Sequence, residues 1–143
     1  MSIPQRLSIV TLGVSDVARA TAFYESLGWR QATASQESIT FFQMQGSVLA
    51  LFGRELLADD AQIDAEGSGF RAVTTAINFD NPEQVDAAFV EWVAAGGTPV
   101  KAPETVFWGG YSSYVADLDG HLWELAHNPY SPNDVDGRMQ LGE

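Results

Sequence analysis

The feature that most constrains this chain is an order of apolar periodicities that occurs twice. A repeated order of elements limits the fold more tightly than composition does. Residues 7–14 (LSIVTLGV) form a mostly apolar, β-branched run that closes on Ser15-Asp16. DVARATAFYESLG then sets Val17, Ala20, Phe23, Tyr24 and Leu27 at helical spacing, with Gly28 at the stop. Strand patterns follow at 29–34, 38–44 and 47–52. The second half runs the same way. Residues 71–79 (RAVTTAINF) read as a strand, and an Asn-Pro start opens an amphipathic helix that Gly96-Gly97 end. Strands at 98–102, 111–117 and 121–127 complete it. Each half is therefore strand–helix–strand–strand–strand.

The halves also align residue on residue. TLGVSD (11–16) overlies TAINFD (75–80), and QGSVLALF (45–52) overlies DGHLWELA (119–126), with Gly46 on Gly120. The reading is one domain over 1–143, with modules at about 6–52 and 70–128. A linker at 53–69 contains the helical piece RELLADDA, and a tail occupies 129–143.

The 143 residues can bury a core, and the 45% hydrophobic share is that of a globular chain. With no cysteine, disulfides, Cys-bound zinc and iron–sulfur clusters are excluded. No apolar run approaches the roughly 20 residues of a membrane span, and no secretory leader opens the chain, so a cytoplasmic location is expected. The net charge of −12 repels phosphate backbones, which argues against nucleic acid; it reads first as a solvated acidic surface, and otherwise as a field that favours a cationic ligand.

TLGVSDVARATAFYESLGW and VADLDGHLWEL, with AAGG between them, resemble the vicinal oxygen chelate superfamily of glyoxalase I, ring-cleaving dioxygenases and bleomycin-resistance proteins. WGGYSSY (108–114) resembles an uncharacterised subgroup within it. The resemblance covers roughly residues 6–129 and implies an α+β fold of two βαβββ modules packed side by side around a cavity. It implies a homodimer, and a metal held by one side chain from the first and one from the last strand of each module. Carried over, with the first-strand ligand seven residues before the closing Asp, those positions are Ile9, Ala50, Val73 and Glu124. Three are aliphatic and offer no lone pair. Neither the usual metal nor any other cofactor is therefore expected, a divalent metal on an atypical site being the alternative.

His121 and His127 do not repair that set. Alternation along a strand turns both away from Glu124. His121 reads as a turn residue bonded near Asp117 or Asp119, and His127 as a strand end packed beside the tail. The face assigned to the site carries Ile9, Thr11, Ala50, Phe52, Val73, Thr75, Ile77, Leu122, Glu124 and Ala126: an apolar lining with two hydroxyls and one carboxylate. Trp108 and Tyr111, beside Gly109-Gly110, either reach a ligand or cap the second module's core. Glu124 is either a scaffold carboxylate satisfied by Arg54, Arg71 or a tyrosine, or a general acid or base.

The reading is a small-molecule-binding protein without the usual metal, holding an aromatic or cationic ligand in an apolar cavity. The ligand-binding candidates are Ile9, Thr11, Ala50, Phe52, Val73, Thr75, Trp108, Tyr111 and Glu124. The alternative is a lyase, isomerase or dioxygenase resembling lactoylglutathione lyase, with Glu124 as its catalytic group.

Overall fold

A computed structural model describes residues 3–142. The chain divides into two compact units, one ending at Gly67 and one beginning at Ser68. No helix among the described residues is long and apolar enough to cross a membrane.

The first unit holds β1 (Ile9–Val14), α1 (Val17–Ser26), β2 (Ile39–Gln43), β3 (Val48–Gly53) and α2 (Arg54–Ala61). Asp16 caps α1 by accepting the Arg19 amide at 3.1 Å, and Gly28 follows the helix at φ +92°. The sheet order is β1-β3-β2, with β1 parallel and β2 antiparallel to β3. Leu12, Val14, Thr40, Phe42, Leu49 and Leu51 are buried on one side. Helix α1 covers that side: Tyr24 packs 6.0 Å from Phe42, and the Thr21 hydroxyl donates to Thr40 at 2.8 Å. Trp29 stacks on Tyr24 at 5.2 Å. Each of these large apolar side chains stabilises the unit by about 1.5–3 kcal/mol through burial.

The strand expected at 29–34 is reduced to one isolated bridge, Gln31 to Phe42. The QATASQES stretch has no apolar alternation to lay on a core, so its backbone bonds form singly. Ala32 donates to the Phe41 carbonyl at 2.7 Å, and the Phe41 amide donates to Ser35 Oγ at 2.9 Å. After α2, Arg54 ties the chain back by donating to the carbonyls of Ala65 at 2.7 Å and Gly67 at 3.0 Å.

The second unit holds β4 (Thr75–Asn78), α3 (Pro82–Ala94), β5 (Thr98–Thr105), β6 (Tyr111–Ala116) and β7 (Leu122–His127). The order is β4-β7-β6-β5, with β4 parallel to β7 and the other pairs antiparallel. In both units, then, the first and last strands are parallel neighbours. Asn81 caps α3 by accepting the Gln84 amide at 2.9 Å, and Pro82 opens the helix. Trp92 lies 5.7 Å from Trp123 and donates its indole N–H to the Ala116 carbonyl at 2.9 Å. Gly97 makes room for it, since a Cβ there would stand 2.3 Å from the indole.

Strand β4 is shorter than the 71–79 expected. Ala72 takes a left-handed φ of +60°, which breaks the extended run. Arg71 meanwhile turns to the β6–β7 bend, donating to Asp119's carbonyl and to His121 Nδ1, each at 3.1 Å.

Candidate functional site

Pairing across the second sheet sorts its side chains, because directly opposed residues share a face. Trp123 and Leu125 pack toward α3 with Val115 and Ser113. The other face is a small grid. One row runs Ala76, Glu124, Tyr114, Lys101; the next runs Asn78, Ala126, Ser112, Glu104. Leu122 and Ala116 lie in a third row.

Glu124 is half-buried near the centre of this grid. Ser112, only 6% exposed, donates its hydroxyl to Glu124 Oε2 at 2.7 Å. One carboxylate oxygen is thus committed to a short, charge-assisted bond, and the carboxylate's orientation is fixed. Lys101 and Glu104 form an ion pair at 2.8 Å. The bond to Glu104 raises the Lys101 pKa, as does the negative charge of Glu124 to a smaller degree. Sequence reasoning missed Ser112 and the place of Tyr114 beside Glu124, and it missed Lys101 and Glu104. The alternation of YSSYVA against LWELA carried the signal for the first two; two irregularities in β5 hid the others.

The first unit keeps its candidates together. Ile9, Thr11, Ala50 and Phe52 lie on the face turned from α1, where Thr11 pairs with Ala50 and Phe41 flanks it on β2. Ala50 is fully buried, whereas Ile9 is 52% exposed.

The second unit separates its candidates. Thr75 and Ile77 pair with Trp123 and Leu125, so they stand on the opposite face from Glu124, and the Thr75 hydroxyl donates to the Leu122 carbonyl at 3.3 Å. The expected shared face of Thr75, Ile77 and Glu124 is therefore corrected. Val73 precedes β4 and is exposed. The cause is a one-residue slip. The helix cap equivalent to Asp16 is Asn81, not Asp80, so Thr11 corresponds to Ala76 and Ile9 to Thr74. A slip of one reverses every side chain of a strand.

Tyr111 pairs with His127 and donates to Asp86 Oδ1 on α3 at 2.6 Å, away from the Glu124 face. That bond raises the Tyr111 pKa above its ordinary value of 10.0. Trp108 sits in the β5–β6 hairpin with its indole folded onto Gly110, where a Cβ would stand 2.1 Å from the ring. His121 donates its amide to Asp117 Oδ1 at 2.9 Å, and its Nδ1 accepts from Arg71, which has only donors. His127 Nδ1 lies 2.9 Å from the Phe79 carbonyl and donates to it. Neither Arg54 nor Arg71 serves Glu124; Ser112 does.

With the register corrected, the four positions at which the resemblance implies metal ligands carry Ile9, Ala50, Thr74 and Glu124. Two are hydrocarbon, one is an alcohol, and only Glu124 is a good donor. Its neighbours across the sheet, Ala76 and Tyr114, supply no imidazole or carboxylate. Among the described residues no three of His, Asp and Glu gather at one point. This donor set does not fit the usual metal.

The family model of the Glyoxalase/Bleomycin resistance protein/Dioxygenase superfamily matches residues 6–125. No curated protein matches the chain. Among solved structures it is similar to a glyoxalase-related enzyme from Fulvimarina pelagi, at 33% identity and TM-score 0.87, covering 98% of this chain and 100% of that one. It also shares its fold with a family enzyme from Burkholderia phytofirmans (23% identity, TM-score 0.76, 85% and 98% of the two chains). A lactoylglutathione lyase from Agrobacterium tumefaciens is a third likeness (22% identity, TM-score 0.66, 88% and 96%). The match over residues 6–125 and the 33% identity to the Fulvimarina protein agree: the chain belongs to the Glyoxalase/Bleomycin resistance protein/Dioxygenase superfamily.

Proposed function

We propose that the chain is a small-molecule-binding protein of this superfamily that works without the usual metal, holding an aromatic or cationic ligand against the Glu124 face. The observation that carries the reading is Glu124 itself: a carboxylate fixed through one oxygen by Ser112, set among Ala76, Ala126, Ala116 and Leu122. A fixed acceptor in small apolar surroundings suits one donor or positive group on a flat apolar body. The Tyr114 ring beside it adds a surface on which such a body stacks. Ile9, Thr11, Ala50 and Phe52 stay in the reading as ligand-lining candidates of the first unit's own face, and a homodimer and a cytoplasmic location belong to the reading as well. Thr75, Tyr111 and Val73 leave the ligand set because of where they stand.

A panel of aromatic amines, acids and neutral compounds, titrated while backbone amide resonances are followed, tests the reading. Shifts are expected at 112–116 and 122–126, and Glu124→Gln weakens the amines most. Shifts confined to other residues contradict it.

The second reading is a lyase or isomerase with Glu124 as a proton shuttle. The Ser112 bond favours it to this extent, since a shuttle needs a held carboxylate. Its stabilising donors are few: Thr75 and Tyr111 face α3, which leaves Tyr114 and Lys101 on the Glu124 face.

A further inference from the structure

We propose that the row Glu124–Tyr114–Lys101 recognises a zwitterion, with its protonated amine on Glu124, its carboxylate on Lys101 and a planar body over Tyr114. The inference rests on the reading of the Glu124 face as a ligand surface and adds the ligand's charge pattern and direction.

The first support is the position of Lys101. Residues three apart on a regular strand face opposite sides. In β5 the register shifts between Pro99 and Lys101 and again between Lys101 and Glu104, and each shift admits one extra residue. Lys101 and Glu104 therefore oppose Tyr114 and Ser112, on the face that carries Glu124. Bulges re-aim side chains in this way and recur beside functional sites.

Spacing is the second. Glu124 on β7 and Lys101 on β5 are separated by β6, two strand spacings or about 10 Å between their backbones. Lys101 and Glu124 flank Tyr114 in this row, so a body of about one ring fits between their charged groups. Ala76 beside Glu124, and Ala126 and Ala116 next to Tyr114, are small side chains on this face.

The charges agree. Lys101 carries three N–H donors and uses one on Glu104 Oε1 at 2.8 Å. Its side chain is 50% exposed, and an exposed pair of this kind is weak, so a ligand carboxylate can join it. A net charge of −12 repels a free anion. A zwitterion feels no net repulsion, and the plus-to-minus order of the row sets its direction.

The test uses three matched probes: 4-(aminomethyl)benzoate, benzylamine and benzoate. Each is titrated into wild type, Glu124→Gln, Lys101→Met and Lys101→Arg, with amide shifts at 98–126 as readout. The zwitterion is expected to bind about tenfold tighter than benzylamine, and benzoate weakest. Lys101→Met brings the zwitterion down to the level of benzylamine, Lys101→Arg restores most of the gain, and Glu124→Gln weakens both amines. Equal affinity for zwitterion and benzylamine, or an unchanged zwitterion affinity in Lys101→Met, overturns the proposal. In that case benzylamine shifts at 112–126 still leave the Glu124 face as a ligand surface. If no probe shifts any of these amides, the proposal and the reading beneath it both fall.

Discussion

On the proposed reading, Ser112 decides which oxygen of Glu124 a ligand meets. Its hydroxyl holds Oε2, which leaves Oε1 for the ligand's donor. Ser112→Ala frees the carboxylate to rotate and should weaken an aromatic amine about three- to tenfold, the worth of one hydrogen bond. Ser112→Thr, which keeps the hydroxyl, should recover most of that loss in the same calorimetric titration. Tyr111 supports a different prediction. Its bond to Asp86 raises the phenol's pKa above 10.0, so the folded state holds this proton more tightly than the unfolded one. The stabilisation is therefore full below about pH 10 and is lost as pH rises through the folded value. The Tm difference between wild type and Tyr111→Phe should stay constant from about pH 6 to about pH 9, then narrow.

At the scale of elements, helices α1 and α3 were legible because their signals are local. Asp16 and Asn81 are cap residues, Pro82 fits the first turn, and Gly28 and Gly96 take the positive φ that ends a helix. The same Asn-Pro signal held the correct register: a proline in the first turn makes Asn81 the cap. Anchoring the halves on Asp80 instead slipped β4 by one and turned Thr75 and Ile77 to the wrong side. The bulges of β5 were not legible, since Pro99 and Pro103 announce an irregular strand without saying which face Lys101 takes. Gly97 was read as a helix stop, yet its larger role is packing. Gly97→Ala would set a methyl 2.3 Å from Trp92 and 2.8 Å from the Ala116 carbonyl. It should cost about 1–3 kcal/mol in urea unfolding. Gly46→Ala, with nothing within 4 Å, carries only the strain of its φ of +96° and should cost about 1 kcal/mol.

At the scale of the whole molecule, the repeat made much of the fold readable: apart from the strand missing at 29–34, the two units share an order of elements and the parallel pairing of first and last strands. The site was less readable. It depends on which face each strand shows, a property of pairing rather than of any single stretch. The charge of −12 acts on the molecule as a whole and predicts that an aromatic amine binds more weakly as salt rises from about 0.01 M to about 0.5 M. A neutral analogue of the same shape should change little.

The central claim is that Glu124 serves an organic ligand and not a metal. The direct measurement is calorimetric titration of chelator-treated protein with nickel, zinc, manganese and iron(II), run beside Glu124→Ala. No stoichiometric binding that depends on Glu124 is expected, because the other three positions at which the resemblance implies ligands carry Ile9, Ala50 and Thr74. Tight, one-to-one binding of any of these ions that disappears in Glu124→Ala would contradict it, and the enzyme reading would then lead.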